Sequence, residues 1–368
     1  MTIETFYRTF TSAGVTGSAN QVLTRDAEPV LRTGRVWFRL SRGGERIALL
    51  FSGRIDSTFA DGSISRANDP GGDWEIRSLH VGLTENHGEE PDDWIPVTFD
   101  GSPCRSVQAG EGEFASDPIP LPFAGGAYLA YEITVCGACY PYHEELVLNA
   151  FCRDGDGWRA DKRFPVPLMI GCDCPARAKI GFLGDSITQG CGTAYDSYTH
   201  WAAKIAEGLP DDLAVWDLGI GYARASDAAT DGGWLARAKR CDVVNVCLGV
   251  NDLCRDRTDE AIIADLTVIV HALKAAGCRV ILFTVPPFDF TGIARDRWYA
   301  VNRAVRGSIA KDADALFDFA AVLGKPAPDE HLSVYGGHPN AEGCAVAAKA
   351  YLEEDVLGKV LGTAELPD

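Results

Sequence analysis

Two hydrophobic rhythms share this chain, and they change over near residue 176. Before that point short apolar runs alternate with Gly, Asp, Pro and Asn turns. Val36-Trp37-Phe38-Arg39-Leu40, Ile47-Ala48-Leu49-Leu50-Phe51, Trp74-Glu75-Ile76-Arg77, the run 94–99 and the run 128–135 all read as strands. No helical period of useful length occurs in this half. Many short strands with regular turn signals predict a β-sandwich.

After residue 176 strands and helices alternate. Lys179 to Leu183, Leu213 to Trp216, Asp242 to Leu248, Arg279 to Val285 and Ala315 to Asp318 are five strand-like runs. Between and after them, 198–209, 260–276, 295–310 and 341–357 carry apolar residues at helical spacing. Ile262, Ile263, Leu266, Ile269, Val270 and Leu273 form one such stripe. Alternating βα units imply a parallel sheet covered on both faces, with ligands at the carboxyl ends of its strands. The expectation is an α/β domain over 177–368 behind an all-β domain over 1–176, joined at Gly171-Cys172-Asp173-Cys174-Pro175.

Length and composition narrow the partners. A chain of 368 residues has room for two ordinary domains. No run approaches the ~18 apolar residues of a membrane span. The net charge of −18 disfavours nucleic acid and anionic membrane. The first residues, Met1 to Phe6, lack a basic region followed by an apolar run, so no signal peptide is expected. Several of the 12 cysteines lie in apolar runs, Cys241 and Cys247 among them. That fits free thiols in a reducing compartment, hence a cytoplasmic location. Cys136, Cys139, Cys172 and Cys174 are the one combination resembling a zinc site. The second pair is spaced too closely for the usual knuckle, and loose thiols or a disulfide fit better.

The chemistry sits in four segments of the second half: Gly184-Asp185-Ser186-Ile187-Thr188, Asp217-Leu218-Gly219-Ile220-Gly221, Gly249-Val250-Asn251-Asp252 and Gly337-His338-Pro339-Asn340. The first three each follow a predicted strand. Ser186 falls where a strand turns into a helix, which exposes a hydroxyl and an outward N–H. A helix-capping serine is the inert alternative. Gly221, or Tyr222 beside it, can aim a main-chain N–H at the same point. Asn251 adds a neutral amide donor, and an Asx turn is its plain reading. His338 is a candidate general base, the other histidines lacking a comparable setting.

In this order the segments resemble the signature of the SGNH hydrolases, the GDSL-like esterases and lipases. The resemblance covers about residues 177 to 356. It implies a three-layer, flavodoxin-like α/β/α fold with Ser186 as nucleophile and His338 as base. Ser186, Gly221 and Asn251 would form the oxyanion hole, with no metal or organic cofactor. The β-rich front half, around Ser116 to Leu121, is similar to the jelly-roll-like domain that precedes the hydrolase in some members. Such a domain walls the substrate pocket or binds a glycan. Its Trp37, Trp74 and Trp94 read as core rather than as a sugar platform.

Two positions depart from the family pattern. Tyr222 stands where block two usually has a glycine. Tyr335 stands three residues before His338, where the family usually has aspartate. A backbone carbonyl, giving a Ser-His dyad, or a carboxylate from Asp329 or Glu330 is the expected substitute, the dyad being favoured. The function expected is hydrolysis of a small acyl ester, an O-acetylated carbohydrate among the candidates. An acyltransferase using the same acyl-enzyme and a non-catalytic glycan-binding protein are the rivals. An unpaired edge in the front sheet allows a homodimer.

Overall fold

The computed structural model describes residues 1–58, 66–230, 232–326, 329, 331–334 and 336–362. The chain divides into two units, Met1–Arg177 with Asp211–Trp216, and Ala178–Pro210 with Asp217–Asp368.

The first unit is a β-sandwich of two antiparallel sheets. One orders Thr11–Ser12, Met169–Cys172, Gly44–Ser52 and Glu113–Ala115, with Ile119–Phe123 also on Gly44–Ser52. The other orders Gly157–Ala160, Ala150–Asp154, Val30–Arg39, Tyr128–Gly137, Trp74–Thr84 and Ile95–Pro96, with Arg105–Val107 on Trp74–Thr84. Tyr131 stands opposite Val36 on one side and Val81 on the other, and all three are buried. Successive side chains leave a strand on opposite faces, so this register puts one face of three strands into the core.

Two features of this unit differ from the sequence expectation. Ile3–Thr9 is a helix, capped by the Thr2 hydroxyl on the Thr5 N–H. Two turns are too short to display a period, and burial of Phe6 and Tyr7 supplies what propensity does not. The predicted strand 94–99 shrinks to Ile95–Pro96. Trp37 and Trp74 are buried. Trp94 is half-buried beside Arg35, whose guanidinium lies 5.1 Å from its ring centre and 4.4 Å from that of Trp158. Arg153 lies 5.0 Å from the Trp158 ring centre, so guanidinium groups already occupy this aromatic cluster.

The second unit is built on a five-stranded sheet. Its strands are β1 (Ala178–Gly184), β2 (Leu213–Gly219), β3 (Val243–Cys247), β4 (Arg279–Phe283) and β5 (Ala315–Phe317), in the order β2-β1-β3-β4-β5. β1 with β3, β3 with β4, and β4 with β5 pair in parallel, with Gly184 opposite Cys247 and Leu282 opposite both Val246 and Leu316. Helices α1 (Ser186–Gln189), α2 (Trp201–Gly208), α3 (Val250–Cys254), α4 (Asp259–Ala275), α5 (Gly292–Arg306) and α6 (Ala341–Glu353) belong to the same unit. The order is flavodoxin-like and reverses between β1 and β3, which opens a crevice at their carboxyl ends.

β2 and β3 are buried along their whole length and β1 at every position but Lys179, as a sheet covered on both faces requires. Trp201 of α2 anchors the underside of the crevice. Its ring packs 5.1 Å from Phe182, 5.2 Å from Phe283 and 5.4 Å from Phe319, and its Nε1–H donates to the Ile187 carbonyl at 3.1 Å. The last predicted helix breaks after Glu353, where Asp355 takes a left-handed φ of 48° before a short helix Val356–Leu361.

All 12 cysteines are free. Among the described residues no group of three or more His, Cys, Asp or Glu is arranged to hold a metal ion. Among the described residues, too, no helix is long and apolar enough to cross a membrane.

Candidate active site

Ser186 is the first residue of α1. Asp185 caps that helix by accepting the Ile187 N–H at 3.0 Å, while the Ser186 N–H takes no partner among the described residues. The first N–H groups of a helix have no intrahelical acceptor, so this one is a natural anion donor. The serine is buried except for 6% of its surface.

His338 reaches the serine from the loop before α6. Its Nε2 lies 2.8 Å from Ser186 Oγ, across 152 residues of sequence. Three contacts hold that loop. The Val334 N–H donates to the His338 carbonyl, the Phe288 ring meets the imidazole edge-on at 5.1 Å, and Asn340 Oδ1 caps α6 on the Gly343 N–H at 2.9 Å. Gly192 lies against the histidine. A Cβ there would sit 2.8 Å from His338 Cβ, and its φ of +97° also favours glycine.

Asn251 lies in α3, just past β3. Its Nδ2 donates to the Ala223 carbonyl at 3.0 Å, and an amide nitrogen carries a second N–H for another acceptor. Next to it Asp252 is fully buried. It accepts the Ala225 N–H at 2.8 Å and pairs with Arg257 at 3.2 Å. Burial is the larger influence, and it pushes the Asp252 carboxyl up to about 6 despite the Ala225 and Arg257 contacts. This pair of residues therefore splits its work: Asn251 is half-exposed toward the crevice end, whereas Asp252 ties α3 to block two from inside.

Block two forms a tight turn against the nucleophile helix. Gly221, the block-two oxyanion residue expected from the sequence, donates its N–H to Gln189 Oε1 at 2.5 Å. The next residue, Tyr222, has a φ of +62°. A non-glycine residue there is unusual, and it is the backbone form that the family's glycine at this position adopts readily.

Three side chains are candidates from the sequence to orient His338. Asp329 is exposed and makes no side-chain hydrogen bond to the imidazole. Glu330 and Tyr335 lie outside the described residues. Asp289, next to Phe288, pairs with His331 at 3.2 Å.

Sequence reasoning passed over two residues here. Gln189 is one. His200 is the other: it is buried, with Nε2 3.3 Å from Asp217 Oδ2, while Asp217 Oδ1 accepts the Gly219 N–H at 2.8 Å. Burial raises the Asp217 carboxyl above its usual value, and the His200 contact opposes that. Neither residue carries a local signature. Their partners lie 32 and 17 positions away and become visible only once β1 and β2 are side by side.

Residues 182–346 match the model of the GDSL-like lipase/acylhydrolase family. No curated protein matches the chain. Among solved structures it is similar to a member of the lipolytic protein G-D-S-L family from Veillonella parvula, at 18% identity over 48% of this chain and 96% of that one, with a TM-score of 0.39. It is also similar to Axe2, an acetylxylan esterase from Geobacillus stearothermophilus, at 22% identity over 49% and 94%, TM-score 0.39. A third is a carbohydrate esterase family 3 protein from Talaromyces cellulolyticus, at 21% identity over 50% and 99%, TM-score 0.41.

Proposed function

We propose that this chain is a serine esterase that hydrolyses a small acylated molecule through an acyl-serine intermediate. The observation that carries the reading is the 2.8 Å contact between Ser186 Oγ and His338 Nε2 at the carboxyl end of a parallel sheet. A base within hydrogen-bond reach of a hydroxyl is the minimum for nucleophilic attack.

In this reading Ser186 Oγ attacks the acyl carbonyl as His338 takes its proton. The oxyanion is met by the Ser186 N–H, by the second N–H of the Asn251 amide and by a main-chain N–H of the block-two turn. Gly221 and Tyr222 are the two candidates for that main-chain donor, and the Gly221 N–H meets Gln189 Oε1. His338 then gives its proton to the leaving alcohol. Water, activated by the same imidazole, attacks the acyl-serine, and the acid leaves as Ser186 regains its proton. Each step uses groups of this chain alone. O-acetylated carbohydrates are the first substrate class to try, with simple acetate esters as the reference.

The test is hydrolysis of 4-nitrophenyl acetate, butyrate and octanoate by wild type, Ser186→Ala and His338→Ala, with mass spectrometry after a fluorophosphonate probe. The reading requires a probe adduct on Ser186 and turnover that both variants lose by about 10³-fold or more. Turnover unchanged in Ser186→Ala, or no adduct, would end it.

A further inference from the structure

Three consecutive N–H groups of the block-two turn are taken up inside the protein, and two of the acceptors belong to the nucleophile segment. The Gly219 N–H goes to Asp217 Oδ1 at 2.8 Å. The Ile220 N–H goes to the Gly184 carbonyl at 3.0 Å, two residues before Ser186. The Gly221 N–H goes to Gln189 Oε1 at 2.5 Å, and Gln189 closes the helix that Ser186 opens. Gln189 is fully buried. The backbones also touch: a Cβ on Gly219 would sit 2.3 Å from the Gln189 nitrogen, so no side chain fits between them.

We infer that Gln189 is a positioning residue of the reaction, whose side chain sets the block-two N–H at the right distance from Ser186. The inference rests on the esterase reading and adds a residue to it. An oxyanion hole works only if its donors are fixed where the charge will develop, and an error near 1 Å costs orders of magnitude in rate. The Ser186 N–H and the block-two N–H come from different strands, β1 and β2. The Gln189 side chain ties α1 directly to the turn. Its oxygen takes the Gly221 N–H, which pins that peptide of the turn to the nucleophile helix. The His200–Asp217 pair braces the same turn from the other end, through Gly219.

A purely structural role would affect stability and leave the kinetic parameters alone. A positioning role affects the transition state selectively. The experiment therefore measures kcat and KM for 4-nitrophenyl acetate, the inhibition constant of phenylboronic acid and the melting temperature. The variants are Gln189→Glu, Gln189→Asn and Gln189→Met. Phenylboronic acid forms a tetrahedral adduct on the serine oxygen and so reports the hole's fit to the transition state. Gln189→Glu keeps an oxygen at the same reach and should hold kcat within about fivefold. Gln189→Asn withdraws the acceptor by one methylene and should lose about tenfold. Gln189→Met removes it and should lose about 100-fold, in the range of a lost oxyanion donor. KM should stay within about threefold throughout, and phenylboronic acid should weaken in step with kcat.

Should Gln189→Met fail to fold, the Gln, Glu, Asn order still decides. Equal kcat in the Asn variant, or loss appearing in KM with boronate binding unchanged, would overturn the inference while leaving the esterase reading intact. Failure of wild type to turn over the ester or bind the fluorophosphonate would instead remove the reading beneath it.

Discussion

Asn251 Nδ2 donates to the Ala223 carbonyl at 3.0 Å, which joins block three to the chain just past the block-two turn. The contact spends one of the two amide hydrogens and fixes the direction of the other. Asn251 is thereby a pre-aimed donor rather than a side chain searching for its acceptor. In the esterase reading Asn251→Ala should lower kcat by about 10²- to 10³-fold with little change in KM. The lost bond to Ala223 should cost only about 1 kcal/mol of stability. Steady-state kinetics beside a urea titration would check both, and a KM-only effect would move Asn251 out of the oxyanion hole.

Asp329 is exposed. Replacing it with alanine should leave kcat within about twofold, as for most surface positions. A carboxylate that orients the catalytic imidazole behaves very differently, with losses near 10⁴-fold when it is neutralised. The two outcomes are far enough apart that a single rate measurement on Asp329→Ala separates them. A large loss would assign Asp329 the orienting role despite its exposed setting.

Tyr222 occupies a left-handed conformation, φ +62°, where the resemblance leads one to expect glycine. An L-residue pays ~1–2 kcal/mol for such a backbone, and a glycine pays for its freedom in the unfolded chain instead. If the main chain is the donor, Tyr222→Gly should keep kcat within about fivefold and shift stability by no more than about 1 kcal/mol. A 100-fold loss in kcat would show that the phenol or ring takes part directly.

Much of this architecture could be read from residue patterns. The βα alternation after residue 176 predicted the parallel sheet, because buried strands must be apolar throughout and amphipathic helices must follow them. Ser186 and Asn251 stood out because each lies two residues after a glycine at the end of a predicted strand, and His338 because it lies between Gly337 and Pro339 before a predicted helix. The misses have a common cause. Helix Ile3–Thr9 is two turns long, held by a threonine cap and the burial of Phe6 and Tyr7 rather than by a period. Gln189 and His200 act through partners that the strand order supplies, and a glutamine at a helix end or a histidine before a helix has no local mark of burial. Gly221 shows the same limit from the other side. The motif located the turn, yet the partner of its Gly221 N–H is a side chain 32 residues earlier.

Asp252 is the group whose titration should be felt in stability. Its carboxyl is fully buried, held by the Ala225 N–H and Arg257, with Asp227 and Asp265 adding repulsion. Burial raises it to about 6 from the 3.8 of a free side chain. Between about pH 4 and pH 6 the folded protein therefore retains a proton that the unfolded chain has released. Stability from this group must fall as pH rises through that window and stay lower above it, by about 3 kcal/mol at the 1.36 kcal/mol per unit that linkage prescribes. Asp252→Asn cannot ionise, so its stability should lack this decline. Urea unfolding of both proteins at pH 4, 5, 6 and 7 provides the comparison. The difference in unfolding free energy, wild type minus Asp252→Asn, should fall with rising pH and level off above about 6. A flat difference would mean that Arg257 holds Asp252 ionised throughout, and a difference rising with pH would reverse the sign of the burial argument.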